Sequence, residues 1–113
     1  MMFGFGPRLA EWSPQDVAVA LDRGEIVLID VREAAEFAAE RIAGAILRPL
    51  SQFDPASLPC DGRKIVLHCG VGRRSAAAAA QCSKARVAIG GHLGGGLAAW
   101  KRAGMPTALG AVT

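Results

Sequence analysis

The sequence predicts an α/β domain in three layers, a mainly parallel sheet with helices on both faces. Three observations point there. Two short apolar runs, Ile26-Val27-Leu28-Ile29 and the Ile65-Val66-Leu67 core of Lys64–His68, have the pattern of buried parallel strands. Helix start and stop signals lie before, between and after them, so strands and helices alternate. No repeat and no linker interrupts the 113 residues, a length that one domain accounts for.

The first helix starts at Ser13-Pro14. Serine caps, proline suits the first helical position, and Asp16 favours the positive end of the helix dipole. Val17, Val19, Ala20 and Leu21 follow, and Gly24 stops it. The run Ile26–Ile29 is the first strand and ends in Asp30-Val31-Arg32. Glu33 to Arg41 reads as a short helix with Gly44 after it. Ala45–Leu50 reads as a strand broken by Pro49. Ser51–Leu58 is expected to be loop with a helical turn, and Pro59–Arg63 a turn into the strand Lys64–His68. A strong helix containing Ala76–Ala80 comes next. Val87–Leu93 stands where a last strand belongs, weakened by Gly90 and Gly91. Gly94-Gly95-Gly96 is a turn. Leu97–Ala103 is the final helix, packed through Trp100 and ended by Gly104 with Pro106 beyond. The domain is expected over 13–107, with an N-terminal extension at 1–12 and a tail at 108–113.

Composition narrows the function. The chain is 51% hydrophobic and 20% charged, a globular balance rather than a disordered one. It is long enough to bury roughly two thirds of its unfolded surface without staples. A net charge of +3, without a long basic run and with few aromatics, argues against nucleic acid. Three cysteines without paired spacing argue against a disulfide framework. With only His68 and His92 besides, no metal site and no cofactor are expected. The apolar start, Met1–Pro7, is too short for a signal peptide, and no run approaches a membrane span. A reduced, cytoplasmic protein is expected.

The chemistry concentrates in His68-Cys69-Gly70-Val71-Gly72-Arg73-Arg74-Ser75, which joins a buried strand to a helix. In open α/β sheets ligands bind beyond the carboxyl ends of strands, where Cys69 would sit. Loop N–H groups, the positive end of the next helix and Arg73 and Arg74 all favour thiolate over thiol. Gly70 and Gly72 permit the dihedrals of such a curl. His68 is read as a packed strand residue, because neighbours on a strand face opposite ways. Ser75 is open to two readings, a helix cap or a bond to the loop or sulfur. Asp30 and Arg32, beyond another strand end, are within reach of the loop. Asp30 is expected to pair with a loop arginine and hold its shape. Cys60 reads as a turn residue and Cys82 as a packed one.

These residues resemble the rhodanese-like family. Asp30-Val31-Arg32-Glu33, Glu36-Phe37, Ile42 and Gly44-Ala45 are similar to one family stretch. Cys69, Gly72, Arg74 and Ser75 match its C-x-x-G-x-R-S loop. Leu93, Gly95-Gly96, Trp100, Gly104 and Pro106 match its close. The resemblance implies a rhodanese-like fold and a sulfurtransferase in which Cys69 carries a persulfide. It implies a binding loop of Gly70, Val71, Gly72, Arg73, Arg74 and Ser75 for the anion. The implied partners are a small anionic sulfur donor such as thiosulfate and a thiol, cyanide or protein acceptor. A non-catalytic sulfur carrier or interaction module is the alternative, with a cysteine-dependent phosphatase after it. Glu40-Arg41-Ile42 stands where the family commonly has G-H-I. Gly70 stands where thiosulfate users often have a basic residue, and it is similar to mercaptopyruvate users. Their loops lack an arginine at the place of Arg74.

Tyrosine phosphatases of related fold carry H-C-x-x-G-x-x-R-S, with the arginine one residue later. A loop one residue shorter makes a tighter cradle, which the resemblance implies fits a sulfane sulfur rather than a phosphoryl group. The protein should therefore leave p-nitrophenyl phosphate uncleaved. A glycine inserted between Gly72 and Arg73 should abolish sulfur transfer from thiosulfate to cyanide. Aryl phosphate turnover by the native chain, or intact transfer after the insertion, would refute loop length as the selector.

Overall fold

The structure, a computed structural model, describes residues 9–110. Residues 1–8 of the expected extension and 111–113 of the expected tail lie outside the described residues. Strand β1 (Glu11–Trp12) leads into helix α1 (Pro14–Asp22). The Ser13 side chain caps α1 by accepting from Asp16 N–H at 3.0 Å. Then follow β2 (Ile26–Asp30), α2 (Ala34–Ala39), β3 (Glu40–Arg41) and β4 (Ile46–Leu47). Two short 3-10 turns precede β5 (Lys64–His68), α3 (Arg73–Lys84), β6 (Gly91–Leu93), α4 (Gly96–Arg102) and β7 (Ala108–Leu109).

The main sheet has the order β1-β6-β5-β2-β4, and all its pairings are parallel. Such a sheet is buried on both faces, and the strands show it by alternation. Val27, Ile29 and Val31 join Ile65, Leu67 and Cys69 in one core, with Ala78, Ala79 and Cys82 of α3. Ile26, Leu28 and Val66 face the other core, with Val17 and Ala20 of α1 and Leu97 and Trp100 of α4. Helices thus cover both faces. The longest pairing joins β2 to β5 and sets Asp30 opposite His68. The carboxyl ends of the two central strands are therefore side by side.

Three expected elements and both expected terminal segments differ. The helix read over Glu33–Arg41 ends at Ala39, because Glu40 and Arg41 turn extended to pair antiparallel with β7. Ala108 and Leu109, read as tail, supply that partner. The strand read over Ala45–Leu50 shrinks to Ile46–Leu47, after which the Arg48 and Leu50 amides still reach the carbonyls of Asp30 and Val31. The strand read over Val87–Leu93 is only Gly91–Leu93. It gains a neighbour in β1, drawn from the segment read as an extension.

Gly91 makes that edge pairing possible. Its φ is 138°, and a Cβ there would lie 2.4 Å from the Ala10 carbonyl oxygen. Gly91→Ala should cost about 1–3 kcal/mol in urea unfolding. It should also speed hydrogen exchange at the His92 and Gly94 amides, which donate to Ala10 and Trp12. Unchanged stability and exchange would refute the close approach as the anchor of β1.

Candidate active site

The loop from Cys69 to Gly72 leaves β5 and enters α3 through Gly72, the helix cap, at φ 109°. Cys69 Sγ accepts from the N–H of Gly72 at 3.1 Å and of Ser75 at 3.3 Å. The thiol faces the Ser75 hydroxyl at 3.6 Å. Burial works against ionisation of Cys69. The Ser75 N–H and hydroxyl, then the Gly72 and Val71 N–H groups, outweigh it and hold the thiol below its ordinary value. Cys82 has no such donors and is pushed up by burial, and Cys60 is exposed.

The loop is held from behind by α4. Leu97 N–H donates to the Cys69 carbonyl at 2.8 Å and Ala98 N–H to the Gly70 carbonyl at 3.0 Å. Gly96 lets the two backbones meet, since a Cβ there would lie 2.4 Å from the Cys69 oxygen. The three-glycine run is therefore a contact surface as well as a turn. Of the two loop glycines, only Gly72 has a positive φ. Gly70 instead leaves room for Arg74, whose guanidinium would lie 3.4 Å from a Cβ there.

The charged residues are arranged differently from expectation. Asp30 pairs with Arg32 rather than with a loop arginine, in a fork of 2.8–3.1 Å that is buried on both sides. Arg32 also donates to the Glu40 carbonyl at 2.6 Å, so Arg32 bolts the end of β2 to β3. His68 is fully buried, its Nε2 3.3 Å from Asp30 Oδ2 and its Nδ1 3.2 Å from the Cys69 carbonyl. The Nε2 contact is out of line for a full hydrogen bond. Burial would raise the Asp30 carboxyl, but His68 and Arg32 override it and hold it at about 2. The loop arginine finds Glu36 on α2 instead, with Arg74 bound in a fork at 2.6 and 2.9 Å. Hydrogen bonds from Arg74, and one from the Glu33 N–H, hold Glu36 at about 2 against a smaller effect of burial. Two parallel N–H···O bonds fix the guanidinium plane as one bond would not.

Ser75 sits in the first turn of α3, its hydroxyl 2.7 Å from His92 Nδ1 and 3.2 Å from the Gly72 carbonyl. Glu36 and His92 were absent from the sequence-derived site. The signal for Glu36 was present, since it lies in the quoted Glu36-Phe37 stretch. His92 had none, because it lay in a weak strand. A cleft of about 730 Å³ opens beside the loop, its walls including Leu9, Glu11, Val71, Arg73, Ala76 and His92. Val71 stands out at the loop tip, 64% exposed, while Cys69 is 1% exposed and is not a wall of the cleft.

A buried thiol under converging N–H groups, between a parallel strand and a helix, is one half of the identification. The other half is sequence: the family pattern of the Rhodanese-like domain matches residues 13–103. The chain belongs to the rhodanese-like family. As a rhodanese-like domain it is 41% identical over 96 residues to an uncharacterized protein of Synechocystis sp., covering 84% of this chain and 54% of that protein. It is 39% identical over 99 residues to the probable adenylyltransferase/sulfurtransferase MoeZ of Mycobacterium tuberculosis, covering 83% of this chain and 25% of that protein. The chain thus spans about half and a quarter of these two curated relatives. A rhodanese-related protein from Thermoplasma volcanium shares the fold at TM-score 0.76 and 29% identity, over 88% of this chain and 97% of that one. A thiosulfate sulfurtransferase from Pseudomonas aeruginosa does so at 0.75 and 27%, over 92% of this chain and 20% of that one. Family and neighbours place this rhodanese-like domain among proteins of the sulfurtransferase-like kind. No helix among the described residues is long and apolar enough to cross a membrane.

The buried Asp30 cluster generates a pH prediction. A carboxyl held at about 2 stabilises the fold fully above about pH 4, and that stabilisation is lost as pH falls toward 2. It amounts to about 2 kcal/mol. Asp30→Asn should be less stable at neutral pH, with Arg32 left buried without its counter-charge. The gap between native and variant, followed by urea unfolding, should narrow from pH 4 to pH 2. A constant gap would show that the Asp30 charge is not what stabilises the cluster.

Proposed function

We propose that this domain is a sulfurtransferase that moves a sulfane sulfur through a Cys69 persulfide. The observation that carries this reading is the convergence of the Gly72 and Ser75 N–H groups on Sγ at 3.1 and 3.3 Å. A sulfur so placed is a thiolate nucleophile in waiting. With thiosulfate as donor, the thiolate attacks the outer sulfur and a new S–S bond forms. The donor S–S bond breaks, and sulfite leaves with its electron pair. Cyanide or a thiolate then takes the terminal sulfur and returns Cys69 as thiolate. The same N–H groups stabilise the anion in both forms.

The arginines divide the work. Arg74 is committed to Glu36 and fixes the loop edge over Gly70. Arg73 is exposed on the cleft wall, with no ion-pair partner among the described residues, and would meet the anionic donor. Asp30 and Arg32 support the loop from the strand ends. A carrier role with a protein acceptor has one observation in its favour. The match to the mycobacterial relative covers only a quarter of that larger protein, whose name joins adenylyltransferase to sulfurtransferase.

Cys69→Ser should abolish transfer from thiosulfate to cyanide, while Cys60→Ser and Cys82→Ala should keep most of it. Mass spectrometry after incubation with thiosulfate should find one added sulfur on Cys69, removable by cyanide. Transfer by Cys69→Ser, or loss of the adduct in Cys82→Ala, would overturn the proposal. Rapid loading with slow discharge to cyanide would mark the carrier role.

A further inference from the structure

No side chain next to Cys69 in sequence can take its proton. One lies two contacts away in space. His92, on β6, shares a face with Leu67 of β5 and so turns toward α3. It is 5% exposed, and its Nδ1 lies 2.7 Å from the Ser75 hydroxyl, which in turn lies 3.6 Å from Cys69 Sγ. On its other side Nε2 lies 3.5 Å from a carboxylate oxygen of Glu11, an exposed side chain on β1. Thiol, hydroxyl, imidazole and carboxylate thus follow one another in a chain of contacts, whose imidazole and carboxylate line the cleft beside the loop.

We propose that His92 is the proton acceptor for Cys69, working through the Ser75 hydroxyl, with Glu11 holding the charged ring. This rests on Cys69 being the reactive thiol. A hydroxyl has one hydrogen to give and lone pairs to receive another. In the neutral arrangement the thiol donates to Ser75 Oγ, and Ser75 donates to Nδ1. For ionisation the S–H bond breaks and its proton passes to Oγ, while the original Ser75 proton passes to Nδ1. The products are a thiolate and an imidazolium, with no change in net charge and no oxidation. Ser75 then turns its O–H to the sulfur and accepts from Nδ1–H, while Nε2–H faces Glu11. Neither sulfur-transfer step consumes that proton, so His92 keeps its positive charge through loading and discharge. His92 touches neither sulfur nor donor and is a positioning residue. Among the described residues, the other charges near this ring are few. Glu11 on β1 and the Cys69 sulfur favour the imidazolium. Arg73 on α3, across the cleft, and Arg102 on α4, beside Gly95, oppose it.

The test is a thiolate titration by ultraviolet absorbance in a Cys60→Ser, Cys82→Ala background, read with nitrogen NMR of the His92 ring. His92→Asn and Ser75→Ala should both move the Cys69 midpoint upward, leaving severalfold less thiolate at neutral pH. Glu11→Gln, a change at an exposed side chain, should move it the same way by less. Where Cys69 is thiolate, the ring should carry a proton on both nitrogens. In Cys69→Ser the second proton should leave at lower pH, because the counter-charge is gone. A singly protonated ring beside a formed thiolate at neutral pH would overturn the proposal. So would a midpoint unmoved in the histidine and serine variants, even if they lost transfer activity. Failure of the persulfide to form on Cys69 at all would instead refute the sulfurtransferase reading and leave these titrations interpretable.

Discussion

The site depends on where two carbonyl groups point. In a trans peptide the C=O and N–H face opposite ways. Helix α4 takes the carbonyls of Cys69 and Gly70 onto the N–H groups of Leu97 and Ala98. The N–H groups of the same peptides, those of Gly70 and Val71, are thereby turned away from α4, and the Val71 N–H joins those of Gly72 and Ser75 in lowering the thiol. The close approach needs Gly96 without a side chain and Gly72 in the left-handed region. The Gly72 cap and the first turn of α3 hold two of the donors locally, and the α4 contact fixes the part of the loop between Cys69 and Val71. The backing of the curl is in this sense a tertiary property, supplied by a helix that follows the cysteine by nearly thirty residues.

The charged residues divide into an inner and an outer set with different duties. Asp30, Arg32 and His68 are buried together at the ends of β2 and β5. An ion pair in that position is expensive to break and contributes fixed geometry more than net stability. Glu36 and Arg74 lie nearer the surface, where water weakens the attraction. Their value is orientation, since the fork ties α2 to the first turn of α3 across the mouth of the loop.

Much of this was legible in the sequence where a pattern is local. Apolar runs located β2 and β5, Ser13-Pro14 located α1, and the loop octet located the thiol and its glycines. What escaped had no local pattern. A strand of two residues, such as β1 or β7, is too short to show alternation. Asp30 next to two loop arginines in space suggested a pair. Arg32, two residues away on the same chain, reached the carboxylate first and without ordering a loop. The partnerships of Arg74 with Glu36 and of Ser75 with His92 join segments far apart in sequence. No periodicity or spacing rule encodes them, because they follow from strand order.

Strand order has a further consequence, for folding. No two neighbours in the main sheet are joined by a hairpin, and even the central pair unites Ile26 with Lys64. Parallel pairings of this kind close long loops before they yield contacts, so they form late and together. The Cys69 curl lies between β5 and α3 and is fixed by α4, so it is assembled only when the sheet is. Before the sheet forms, Cys69 lacks the converging N–H groups that lower its thiol in the fold. The lowering of its thiol arrives with the native state, and a misfolded or partly made chain lacks it.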